Sequence, residues 1–237
     1  MARLLEVCVD TPDGLQAAIE GGADRIELCA ALALGGLTPS AGLIEAARSA
    51  PRPVLAMIRP RAGGFVWTRA ETRAMRHEIA AIRSAGLAGV VLGASNPDGS
   101  LDTDTLATLM DEARGMETTL HRCFDLTPDP FAALEKAIAL GFRRILTSGQ
   151  AATAPQGIAL IARLHIQAAG RIILLAGGGI MPQNAPLFTA AGLCELHASC
   201  SLATEEDPAV AAFGFGPAHR RDTSADQVRA LKQALKE

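Results

Sequence analysis

The chain has 237 residues, 49% hydrophobic and 20% charged, with a formal net charge of −3. That length and apolar content suit one large domain. The charge leaves no basic footprint for nucleic acid, and no apolar run is long enough to span a bilayer.

The chain opens with MARLLEVCVD, which has no apolar leader region and reads as a strand over 4–10. A helix follows in DGLQAAIEGG and stops at glycines. RIELCA (25–30) is the second strand, with a helix over 40–49, and PVLAMIRP (53–60) is the third. The loop RAGGFVW leads into a long helix over 68–85. GVVLGA (89–94) and the turn NPDGS precede a helix from Asp102. TTLHRCF (118–124), RRILTS (143–148) and RIILLAGGG (171–179) are strands five to seven, followed by helices from Asp129, Pro155 and Pro182. ELHASCS (195–201) is the eighth, and the last helix starts at Ser224.

Eight strand–helix units with Gly at the helix ends predict an α/β fold, a (β/α)8 TIM-type barrel. The reading is one domain over 1–237, with 204–223 as a long loop before the last helix. A doubly wound open sheet is the alternative, but the glycines of AGGGIMPQN do not match a dinucleotide fingerprint. No organic cofactor is expected.

Alternation divides each strand into two faces. Glu6, Cys8 and Asp10 share one face of the first strand, and Glu27 and Cys29 share one face of the second. Met57 and Arg59 pair up in the third, His121, Cys123 and Asp125 in the fifth, and Glu195, His197 and Ser199 in the eighth. Helices cover the outside of a barrel, so this polar set belongs inside. It is either a self-satisfied network, with Arg59 neutralising Glu6 or Glu27, or a working site. Glu6, Asp10, Glu27, Arg59, His121, Asp125 and His197 are the catalytic candidates, through acid–base chemistry or charge pairing.

Cys8 and Cys29 lie near the ends of neighbouring strands about 4.8 Å apart. Two adjacent thiols suit a soft ion such as Cu(I), with His121, Cys123 and His197 across the cavity. Alternatively they are two small buried hydrophobes. Loops six to eight read as an anion site in which Thr147, Ser148 and Ser199 supply hydroxyls and Gly177 and Gly178 allow close backbone approach. No lysine lies in any strand, which argues against Schiff-base chemistry. Five cysteines without a CxxC spacing read as reduced thiols in the cytoplasm. The Ala-rich helices are compatible with a homodimer.

The stretches LLEVCVD, GGADRIELCAALALGGLTPSAGLI, MIRPRAGGFVW, TLHRCFDLTPDP, RILTSGQ, LLAGGGI and ELHAS resemble the CutC family of copper-homeostasis proteins. The resemblance runs from Leu4 to about Ser199 and weakens after Ser201. It implies a (β/α)8 barrel, a cytoplasmic location, and copper handling with Cu(I) on the matching cysteines, Cys8 in EVCVD and Cys29 in IELCA. Cys123 departs from the family pattern, in which Ala is common. Two expectations follow: a Cu(I)-binding protein, or a metabolic enzyme acting on a small, phosphorylated or otherwise anionic ligand.

Overall fold

In the computed structural model, which describes residues 3–236, eight parallel strands close into a barrel in chain order. They are β1 (Leu4–Val9), β2 (Arg25–Leu28), β3 (Val54–Met57), β4 (Gly89–Leu92), β5 (Glu117–Leu120), β6 (Arg144–Thr147), β7 (Ile173–Gly177) and β8 (Glu195–Ala198). Around them run α1 (Pro12–Gly21), α2 (Ala41–Ala47), α3 (Arg69–Ser84), α4 (Thr103–Glu112), α5 (Pro130–Ala139), α6 (Ala154–Ala168) and α7 (Ala185–Ala190). Met1, Ala2 and Glu237, the ends of the span read as one domain, lie outside the described residues.

Short polar side chains start most of these helices. Thr11, Ser40, Thr68, Asp102 and Asp129 each accept from a free amide of the first turn. The apolar face of each strand packs outward, so Leu5, Val7, Val9, Ile26 and Leu28 are fully buried against helices. A separate, smaller apolar group of Cys29, Leu55, Met57 and Val91 fills the barrel interior.

Register sets which inward residues meet. Glu6 lies opposite Arg25 on β2 and His197 on β8, while Cys8 lies opposite Glu27. The two Glu-x-Cys patterns are therefore staggered by one level of the barrel.

The segment 204–223, expected as a long loop, is largely ordered. β9 (Ser201–Glu205) pairs antiparallel with β10 (His219–Thr223) around α8 (Pro208–Ala212). Its polarity hid it, since β10 reads HRRDT and carries no apolar residue. Its pairing rests on backbone bonds and on contacts such as Arg221 Nε to Ser201 Oγ at 3.0 Å. The last helix, α9 (Ala225–Ala234), is capped by Ser224 and buries Val228 and Leu231. Among the described residues, no helix is long and apolar enough to cross a membrane.

Candidate functional site

The barrel floor is ionic. Glu6 is wholly buried, accepts a bond from Arg25 Nε, and takes His197 Nδ1 at 2.8 Å. Arg25 also donates to Glu195 at 2.5 Å, and Arg144 reaches both Glu195 (3.3 Å) and Glu117 (2.5 Å). Burial alone would raise the Glu6 carboxyl, but Arg25 and His197 overcome it and bring it down to about 2. Arg25 is thus the counter-ion that sequence reasoning assigned to Arg59. Parity puts Arg25 inward, since residues 25, 27 and 29 share one face of β2, but only the register sets it opposite Glu6.

Above the floor, His197 turns Nε2 toward Glu27 Oε2, 3.6 Å away. Cys8 Sγ joins them, and the ligand atoms of Cys8, Glu27 and His197 all lie within 4.8 Å of one another. Burial opposes charge on His197, but Cys8, Glu27 and Glu6 outweigh it and hold the imidazole well above 6.5. Glu27 lacks a guanidinium partner at bonding distance, so its burial keeps the carboxyl raised despite His197. Its Oε1 is buried without a hydrogen-bond partner. A carboxylate-anchored imidazole beside a thiol and a carboxylate is a donor set that fits a borderline or soft metal ion.

Cys29 sits one level higher and outside this group. Its thiol donates to Glu27 Oε2 at 3.6 Å, and burial beside Glu27 pushes it well up. The glycine-rich loop after β2 closes over it. Gly36 has φ +83, and a Cβ there would stand 3.1 Å from Cys29 Sγ. Asp10 serves the same loop by accepting from the Leu32 amide at 2.9 Å.

Arg59 pairs with neither Glu6 nor Glu27. Its guanidinium donates to the carbonyls of Leu34, Gly36 and Gly63 at 2.9–3.0 Å and lies over the Phe65 ring. Strand β5 ends at Leu120, and residues 122–126 form a 3-10 turn that breaks the alternation read through His121, Cys123 and Asp125. His121 still lines the cavity. Cys123 instead packs in the outer core with Leu92 and Phe124, where burial pushes its thiol up.

Asp125 reaches the loop after β6. It accepts from Thr147 Oγ1 (2.5 Å), from Ser148 N and Oγ (both 3.0 Å), from Gln150 N (3.2 Å) and from Arg122 Nε (2.8 Å). The hydroxyls and amides read as an anion site at Thr147 and Ser148 thus hold the chain's own carboxylate. Gly177 serves packing, since a Cβ there would meet Leu146 Cδ1 at 2.5 Å. Gly178 and Ser199 do line the cavity.

That cavity, about 560 Å³, opens at the C-terminal ends of the strands. Cys8, Glu27 and His197 line its depth, and Arg59, His121 and Arg122 also border it. Among the lining residues that sequence reasoning missed are Cys200 and Arg221. Cys200 lines the mouth at a left-handed φ of +46, and burial together with Cys8 pushes its thiol up to about 12. Arg221 enters from β10.

Residues 3–202 match the CutC family. A CutC family protein of Sinorhizobium medicae is 53% identical over 98% of this chain and 96% of its own. One from Porphyromonas gingivalis is 44% identical over 97% and 96%. The solved structure of CutC from Streptococcus agalactiae superposes with a TM-score of 0.79. It is 30% identical and covers 83% of this chain and 98% of that one.

Proposed function

The chain belongs to the CutC family, and we propose that it handles copper in the cytosol by holding Cu(I) at the base of the barrel cavity. Cys8 and His197 supply the sulfur and nitrogen donors that Cu(I) favours, and Glu27 closes the third side. One observation carries the reading: the convergence of Cys8, Glu27 and His197 within 4.8 Å, with the far nitrogen of His197 anchored on Glu6. Cys29, the second family-matched cysteine, supports Glu27 from above rather than joining the set.

Loading the site requires a thiolate and a neutral imidazole. The imidazole is held well above its ordinary range, so metal entry competes with protons there and affinity rises with pH. Anaerobic Cu(I) titration, followed by native mass and competition with a chromophoric chelator, tests this. The expected result is one ion per chain, abolished by Cys8→Ser and by His197→Gln. Unchanged stoichiometry and affinity in both variants would sink the assignment.

A second reading, an enzyme acting on a small anionic metabolite, is favoured by the size of the cavity. A volume of about 560 Å³ far exceeds the needs of a bare ion and lies in the range of small-molecule pockets. On that reading Glu27, with its raised carboxyl, and His197 are the proton-transfer pair.

A further inference from the structure

Across the mouth from Cys8, Glu27 and His197, the β3–β5 side of the cavity has an excess of donors. Arg59 is 6% exposed and has no carboxylate partner among the described residues. Three of its bonds go to neutral carbonyls, and its Nε is buried with no partner. Neutral carbonyls and a ring face satisfy part of the guanidinium but supply no full counter-charge to a buried cation.

Beside it, His121 is 3% exposed and points the same way in chemistry. Its Nδ1 accepts from the Cys123 amide at 3.2 Å, which puts the ring proton on Nε2. That Nε2–H is buried and has no acceptor. Phe65 bridges the pair, with its ring 4.7 Å from the imidazole and 5.2 Å from the guanidinium carbon. All three residues line the cavity. Arg59 and His121 border one cavity, and each keeps one buried N–H without an acceptor, Nε of Arg59 and Nε2 of His121. An acceptor bearing negative charge answers both.

We propose that Arg59 and His121 form an oxyanion subsite, which takes the carboxylate or phosphate group of a small organic ligand whose remainder lies toward Cys8, Glu27 and His197. The subsite gives the enzyme reading its ligand class, but it stands on residues that the metal reading does not use. It also differs from the loop-six donors, which Asp125 already fills.

Metal-free protein is titrated at pH 7 with inorganic phosphate and, separately, with succinate. Two signals are followed. One is the fluorescence of Trp67, the chain's single tryptophan, whose ring lies 6.2 Å from Phe65. The other is the 15N shift of His121 Nε2. A saturable response to at least one probe is expected, and the probe that gives it identifies the oxyanion. His121→Gln and Arg59→Gln should weaken that response tenfold or more. Because Arg59→Gln also removes three carbonyl contacts, Arg59→Lys, which keeps the charge, is the control and should retain more affinity than Arg59→Gln. No saturable response to either probe, or wild-type affinity in both His121→Gln and Arg59→Gln, overturns the proposal. The titration contains no metal, so its failure leaves the Cu(I) experiment standing, and the reverse also holds.

Discussion

Strands β1 and β2 carry the same Glu-x-Cys pattern on the same inward face, yet the structure gives the two copies opposite characters. Glu6 meets Arg25 and His197 and is held ionised far below the ordinary carboxylate range. Glu27, one level up, meets a thiol and an imidazole edge and keeps a raised carboxyl with one oxygen unpartnered. The thiols divide the same way, since Cys8 borders the cavity whereas Cys29 lies under the β2 loop. The difference comes from the register of the barrel, which sets Cys8 opposite Glu27 and Glu6 opposite Arg25. Position relative to the floor, more than residue type, decides which acid is structural and which is available.

The largest expected break in this contrast is Glu6→Gln. It strips the counter-charge from Arg25 and His197 and should cost about 3–5 kcal/mol in denaturant unfolding. Glu27→Gln removes a carboxyl that has no guanidinium partner and one unpartnered oxygen, and should cost under about 1 kcal/mol. Equal losses in the two variants would dissolve the distinction.

Next comes acid sensitivity on the β5 side. Burial, reinforced by Arg59, lowers His121 from 6.5 to about 3. The unfolded chain therefore binds a proton that the folded chain refuses, and stability falls as pH drops from 6.5 toward 3. The His121 contribution is at most about 5 kcal/mol by linkage. Thermal melts of His121→Gln across that range should show a shallower acid limb than wild type.

Gly36→Ala sharpens the contrast between the two thiols. It forces a side chain into left-handed backbone against Cys29 and should destabilise by about 1–2 kcal/mol. Maleimide labelling of Cys29, slow in the wild type, should accelerate in the variant. The smallest effect belongs to Cys29→Ser, which should change Cu(I) affinity by less than about threefold, against abolition in Cys8→Ser. A matching loss in both would restore a two-thiol site.

Much of this was legible in the chain. The eight-unit barrel followed from helix stops and short apolar strands, and the inward polar face followed from alternation. Contact partners were not legible, because parity says which residues face inward but not at what level. Register placed Arg25, three residues after the Gly-Gly helix stop, on Glu6, and left Arg59 to clip the loop carbonyls. Alternation also failed past Leu120, where the strand gives way to a 3-10 turn that sends Cys123 outward and Asp125 to the β6 loop. The β9–β10 hairpin escaped notice because it is held by backbone pairing between polar residues, which leaves no hydrophobic period to read.

The cavity is assembled from two parts of the chain. Cys8, Glu27, His121 and His197 belong to the span matched to the family, which ends at Leu202. Arg221, Gln227 and Leu231, which complete the outer wall, come after it. The vessel therefore has a base made by barrel strands and a rim made by the hairpin and the last helix. Replacing the β9–β10 hairpin would reshape that rim and leave the buried ion chain of the floor undisturbed, since Glu6, Arg25 and Glu195 all sit on barrel strands.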